Sequence, residues 1–140
     1  MEPELTTTCE VPITFGDLDP MGIVWHGNYI KFLELGREAF GREHDVDSVE
    51  MYGIGYFTPI VRVNVDHKAM LGYGDTVVIR TWIVPSPAAK LIFRYELRRR
   101  SDGAVVASAE TVQVFLDRDK KLLLDIPEFF RLWKERHQIA

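Results

Sequence analysis

The chain has 140 residues, 46% of them hydrophobic and 27% charged, which is globular composition at a length that can bury a real core. A net charge of −4 and a pI near 5.6 leave no basic field for nucleic acid. One cysteine, Cys9, excludes an intrachain disulfide. No apolar run approaches the ~18 residues of a membrane span. The start, Met-Glu-Pro-Glu-Leu-Thr, is acidic and polar, unlike a signal peptide. A cytoplasmic location is therefore the expectation. No repeat, low-complexity tract or long linker divides the chain, so one domain over 1–140 is expected.

Residues 8–16 alternate Val11, Ile13 and Phe15 with polar positions and predict a strand. Cys9, lying in it with no base nearby, reads as an apolar filler. Over 27–41 the period changes. Tyr29, Phe32, Leu33, Gly36 and Phe40 form one helical stripe, widened by Ile30 and Leu35. Asn28 is the expected N-cap, the strong helical signal ends at Gly41, and a weaker one persists to His44. Residues 45–54 are short, polar and punctuated by glycine, so a loop with at most one helical turn is expected there.

Four strands follow. Residues 57–67 carry Phe57, Ile60, Val61, Val63 and Val65. Residues 75–84 place Val77, Ile79, Thr81 and Ile83 on one face and Val78, Arg80 and Trp82 on the other. Pro85-Ser86-Pro87 interrupts, since proline cannot donate to a ladder. Residues 90–100 alternate Leu91, Phe93, Tyr95 and Leu97 with Arg94, Glu96 and Arg98. The run Arg98-Arg99-Arg100 reads as a solvated strand end. Asp102-Gly103 marks a hairpin, and the strand from 104 to 116 is assigned Val106, Val112, Val114 and Leu116 on one face. Pro127 opens a final helix of about 127–137. Segregated helices and strands of this kind imply an α+β fold, with an antiparallel sheet and one long helix in two layers.

The stretch from Phe15 to Tyr29 holds the chemistry. Asp17 and Asp19 lie in a turn made by Pro20 and Gly22, and His26-Gly27-Asn28 then starts the long helix. A carboxylate is thus delivered near a helix N-terminus, where free N–H donors and about half a unit of positive charge collect. Donors and a carboxylate meeting at one point can attack a carbonyl. On the residues alone, Asp19 reads first as a turn-forming or helix-capping residue beside Pro20 and Gly22. Asp17 reads as structural, bonding turn amides.

Phe15-Gly16-Asp17-x-Asp19-Pro20-x-Gly22-Ile23-Val24-Trp25, with Asn28-Tyr29, resembles the signature of the 4-hydroxybenzoyl-CoA thioesterase family. The likeness is close over 11–40 and looser through Thr58-Pro59-Ile60-Val61 and Tyr73-x-Asp75. His26 is similar to the wider acyl-CoA thioesterase branch, including its Tol–Pal-associated members. The resemblance implies the hotdog fold, a curved antiparallel sheet wrapped around one long helix. It also implies an active site shared between subunits of a dimer or dimer of dimers. In that family the second aspartate of the motif is catalytic, which maps to Asp19, and the amide at the position of His26 holds the thioester carbonyl. Coenzyme A enters as part of the substrate, and no separate cofactor is implied. Phosphate contacts are expected from basic residues near the third-to-fourth strand connection. Here that connection is Pro85-Ser-Pro-Ala-Ala-Lys90, leaving Lys90, with Lys68, Arg62 or Arg94 as further candidates.

Asp19 is expected to attack the thioester or to deprotonate a water. His26 serves through its ring or its backbone N–H. Trp25, Gly27, Asn28, Glu34 and Thr58 complete the expected substrate contacts. Glu34 either holds a water or pairs with Arg37 three residues on. Other chemistries fail. Asp17-x-Asp19-x-Met21 has methionine at the fifth position of a calcium loop and Asn28 at the twelfth. His44, His67 and His137 lack zinc-ligand spacing, and neither a G-x-S-x-G elbow nor a P-loop occurs. A hotdog dehydratase on carrier-bound hydroxyacyl chains is the rival enzyme, but its His-Phe-Pro-Gly pattern differs from His26-Gly-Asn-Tyr. A non-catalytic acyl-CoA binder would have Asp19 replaced.

Overall fold

The computed structural model describes residues 5–140; Met1–Glu4, whose charge argued against a signal peptide, lie outside the described residues. Five strands, β1 (Thr6–Pro12), β2 (Ile60–His67), β3 (Thr76–Ile83), β4 (Lys90–Arg99) and β5 (Val105–Val114), form one antiparallel sheet. Its order is β1-β3-β4-β5-β2. Helix α1 (Asn28–His44) packs on β1, β3 and β4. This is the hotdog arrangement expected from the resemblance. Two shorter helices, α2 (Ser48–Gly53) and α3 (Glu128–Arg136), flank it.

Burial explains the pairing. Val77, Ile79, Thr81 and Ile83 of β3 alternate inward, as do Leu91, Phe93, Tyr95 and Leu97 of β4. From α1, Tyr29, Phe32, Leu33 and Phe40 meet them, each at 3% exposure or less. Each such side chain contributes about 1.5–3 kcal/mol on burial. The helix comes very close to the sheet at Gly36. A Cβ there would sit 2.5 Å from Thr81 Oγ1 and 2.8 Å from Ile79 Cγ2.

Several expectations are corrected. The N-cap of α1 is Gly27, not Asn28, whose side chain is engaged elsewhere. The helix follows the weaker signal past Gly41 to His44 and ends where Asp45 turns left-handed at φ 58°. Its outer face is not buried: Ile30 is 41% exposed, and Glu34, Glu38 and Arg42 lie beside it in contact with solvent. Residues 48–53 form a helix because Asp47 caps it, accepting from Val49 N at 2.7 Å. β2 begins at Ile60, later than expected, because Phe57 makes only an isolated bridge to Leu116. In β5 the inward positions are Thr111, Gln113 and Phe115, while Val112 and Val114 lie on the outer face. Apolar patterning misleads there because Gln113 lines a cavity with the polar Glu34 and Arg37 of α1, and Thr111 bonds the Tyr95 hydroxyl at 2.6 Å. Cys9 is half-buried, and burial raises its thiol pKa.

The arginine run is paired rather than free. Arg98 bonds Glu96 at 2.8 Å, Arg99 bonds Asp102 at 2.7 Å, and Arg100 lies 3.2 Å from Glu10. No helix among the described residues is long and apolar enough to cross a membrane.

Gly36→Ala should overpack the seam between α1 and β3, costing about 1–3 kcal/mol. Urea denaturation monitored by circular dichroism measures it. A midpoint equal to that of wild type would contradict so close an approach.

Candidate active site

Asp19 is placed by its own turn. Its N–H donates to the Ile23 carbonyl at 2.8 Å, and its carbonyl accepts from Gly22 N at 3.0 Å. Leu18 and Val24 then bridge, so Pro20, Met21 and Gly22 are the three-residue tip of a miniature hairpin. Gly22 takes φ 79°, the left-handed residue that such a loop requires. The Asp19 carboxylate bends back over the tip, and Oδ1 accepts from Met21 N at 2.8 Å. Oδ2 has no protein partner among the described residues. One oxygen therefore fixes the orientation while the other stays available.

Asp17 has the structural role expected of it. Its Oδ2 accepts from Thr14 N at 2.8 Å and Thr14 Oγ1 at 3.0 Å. Its carbonyl accepts from Trp25 N and from Asn28 Nδ2, each at 2.9 Å. Those two bonds staple the Asp19 turn to the first residue of α1. Asn28 N in turn donates to the Trp25 carbonyl at 2.9 Å, and Tyr29 N to that of His26 at 3.3 Å. The amides of His26 and Gly27 find no acceptor among the described residues. They are the orphan donors of a helix start.

Asp19 and His26 line one cleft of about 200 Å³ with Met21, Ile23, Val24, Tyr29, His67, Ala69 and Met70. Its far wall is the segment after β2. Val24 N reaches the Leu71 carbonyl at 2.8 Å, and Ile23 bridges Gly72. Arg99 braces this wall by donating to the Met70 carbonyl at 2.6 Å. Tyr29 forms the floor. Burial raises its hydroxyl pKa, and the charge of Arg99 offsets part of that rise.

The remaining predicted residues scatter. Trp25 is 49% exposed and leans its ring on His26, with centroids 5.2 Å apart. Gly27 lies under the Trp25 indole, where a Cβ would fall inside the ring. Lys68 is exposed beside His67. Glu34 makes no ion pair with Arg37 and lines a separate cavity of about 330 Å³, along with Arg37 and Gln113. Arg37 instead approaches the Tyr95 hydroxyl at 3.4 Å. Thr58 lines a third cavity, of about 420 Å³, with Tyr52, Tyr56 and Phe57. Its carbonyl accepts from Gln113 Nε2 at 2.7 Å. Lys90 opens β4 opposite Val114 and does not line the Asp19 cleft. Sequence reasoning missed His67, Met21 and Met70 as cleft residues. No spacing rule links residue 67 to residue 19; only the strand's end point does. Among the described residues no three His, Cys, Asp or Glu side chains converge as a metal-ligand set.

Residues 13–133 match the model of the thioesterase-like superfamily. The chain belongs to that superfamily. A 4-hydroxybenzoyl-CoA thioesterase of Pseudomonas sp. (strain CBS-3) is 30% identical over 129 residues, covering 86% of this chain and 91% of that one. A Bacillus subtilis (strain 168) protein, provisionally named an acyl-CoA thioesterase, is 27% identical over 131 residues, with 94% of each chain covered. Among solved structures, a DHNA-CoA thioesterase of Staphylococcus aureus superposes with a TM-score of 0.84 at 22% identity, over 95% of this chain and 89% of that one. The last likeness establishes the fold alone. Within this superfamily fold, the Asp19 cleft is lined both by that carboxylate and by His26, the residue with an unbonded amide before the helix start.

Gly27→Ala should displace the Trp25 ring and lower kcat/KM for a thioester without unfolding the protein. Tryptophan emission reports the displacement, and steady-state kinetics the loss. Unchanged emission and kinetics would refute the contact.

Proposed function

We propose that the chain is an acyl-CoA thioesterase, hydrolysing an acyl-CoA to the free acid and coenzyme A. The observation that carries this reading is the pairing, along one cleft, of Asp19, whose Oδ2 has no partner among the described residues, with His26, whose amide has none either. A thioester carbonyl needs both. Charge develops on its oxygen as the carbon is attacked, and the amide before the helix start offsets it. Losing one such donor typically costs roughly 2.7–4 kcal/mol of transition-state stabilisation. Asp19 delivers the attack, either on the carbon itself or by taking a proton from water. Lys68, on the rim, and Lys90 offer cations for the phosphates of the coenzyme. No cofactor beyond the substrate's own coenzyme A enters this chemistry. The activities named for the Pseudomonas and Bacillus relatives support the reading.

The active unit in this proposal is a homodimer. β2 is a sheet edge with nearly every residue exposed, including Val61 at 58% and Val63 at 39%. A long apolar edge of this kind is a template for strand pairing. Antiparallel pairing of two copies about the middle of β2 lays Ile60 of the second copy opposite His67 of the first. That brings the second copy's Thr58, with the Tyr52–Phe57 pair beside it, to the mouth of the Asp19 cleft. The acyl group then lies between the copies, and Glu34, remote from Asp19 within one chain, is available from α1 to the shared cavity.

Asp19→Asn should lower kcat by about 10²–10⁴-fold while leaving Tm unchanged, because the Asn carbonyl still accepts from Met21 N. Coenzyme A release from a thioester panel, read beside a thermal melt, measures both. Near wild-type turnover would remove Asp19 from the mechanism. For the dimer, Val61→Lys/Val63→Lys should shift the mass in light scattering from two chains to one at micromolar concentration. A wild type that is already monomeric would end the shared-site proposal.

A further inference from the structure

We propose that His67 is the base that activates water in this reaction, which makes Asp19 the nucleophile; the inference rests on the thioesterase reading above. Three observations converge on it. His67 comes from the end of β2, an element separate from the Asp19 loop, yet lines the same small cleft as Asp19 and His26. Its ring is set edge-on to Tyr29, with centroids 4.5 Å apart and planes at 80°. Tyr29 is only 3% exposed and is itself packed against Phe32, so it forms a fixed anvil for the imidazole. Finally, neither ring nitrogen of His67 is hydrogen-bonded or ion-paired with any described residue.

The other histidines are occupied differently. His44 Nε2 lies 3.2 Å from the Thr6 carbonyl, and its ring packs on Phe40. His137 stacks on Trp133 with centroids 4.6 Å apart. The ring of His26 leans on Trp25, and its contribution is the backbone amide. Of the two imidazoles that line the cleft, neither hydrogen-bonded among the described residues, His67 is the one held against a buried ring, while His26 packs on the exposed Trp25.

A second base divides the labour. The free oxygen of Asp19 adds to the thioester carbonyl carbon. The C–S bond breaks, and its electron pair leaves with sulfur as the coenzyme A thiolate. The product on the enzyme is a mixed anhydride, so the Asp19 carboxylate is no longer available to accept a proton. A ring nitrogen of His67 takes a proton from water as the water oxygen bonds to the acyl carbon. The anhydride C–O bond then breaks, freeing the acid and restoring the Asp19 carboxylate. The proton on His67 passes to the thiolate. The sum is thioester plus water giving acid plus thiol.

His67→Phe tests this, because phenylalanine keeps a ring against Tyr29 and removes both nitrogens. The probe is whichever of benzoyl-CoA and hexanoyl-CoA the wild type turns over faster. In rapid-quench assays the variant should release one equivalent of coenzyme A per site at the wild-type rate and then stall. Its steady-state rate should be at least about 100-fold lower, within the range a positioned base supplies. Intact-protein and peptide mass spectrometry should find the acyl group on Asp19. Added imidazole should restore turnover to His67→Ala, which also serves as the test should the Phe variant not fold. Steady turnover of His67→Phe within twofold of wild type would overturn the proposal. So would burst and steady rate falling together with no acyl group on Asp19. The underlying reading fails separately: a wild type that cleaves neither thioester, or an Asp19→Asn protein that still turns over, refutes it whatever the His67 variants do.

Discussion

Two hydrogen bonds onto a single carbonyl, that of Asp17, hold the functional end of this molecule together. Through Trp25 N and Asn28 Nδ2 they tie the aspartate turn to the first turn of α1. Remove them and the carboxylate and the orphan amides become independent parts. With them, the distance between the two is set by backbone geometry rather than by long flexible side chains. Short-range polar bonds of this type are individually worth only ~1 kcal/mol. Their value lies in what they position.

The rest of the fold supports that junction. Helix α1 is pressed onto β1, β3 and β4 by its aromatic stripe and let down closely at Gly36. Its C-terminal end is held by α3, where Trp133 Nε1 donates to the His44 carbonyl. With both ends fixed, the helix start holds its place beside the cleft, which His26 lines, without a capping side chain of its own. The price is a polar seam under the helix. Tyr95 and Thr111 satisfy each other at 2.6 Å, while Thr81 Oγ1 and Gln113 Oε1 are buried without partners among the described residues. Burial raises the Tyr95 hydroxyl pKa, and Arg37 partly offsets it.

Much of this was legible in the residues. The period-2 alternation of β3 and β4 reads correctly because both faces see different environments, helix inside and solvent outside. β5 reads wrongly because its inner face has polar partners, Tyr95 for Thr111 and the Thr58 carbonyl for Gln113, so these two sit where apolar side chains were expected. Asn28 shows the limit of capping rules: the residue type is right for the helix start, but its amide serves the loop instead. Of the site, the Asp19 turn and the His26 amide were readable as a contiguous motif. His67 was not, since its proximity depends on where β2 ends and on how Val24 and Ile23 bond to Leu71 and Gly72. Sequence encodes local geometry densely and such long-range meetings hardly at all.

Two of the walls of the cleft, Met21 and Met70, are 76% and 62% exposed. Thioether side chains are unbranched and polarisable, and they reshape around whatever they touch. In the reaction proposed for the Asp19 cleft, a centre of rigid backbone bordered by such pliant chains would leave the bulk of the departing acid loosely specified, and a narrower diet would be reached by stiffening two positions rather than by rebuilding the centre.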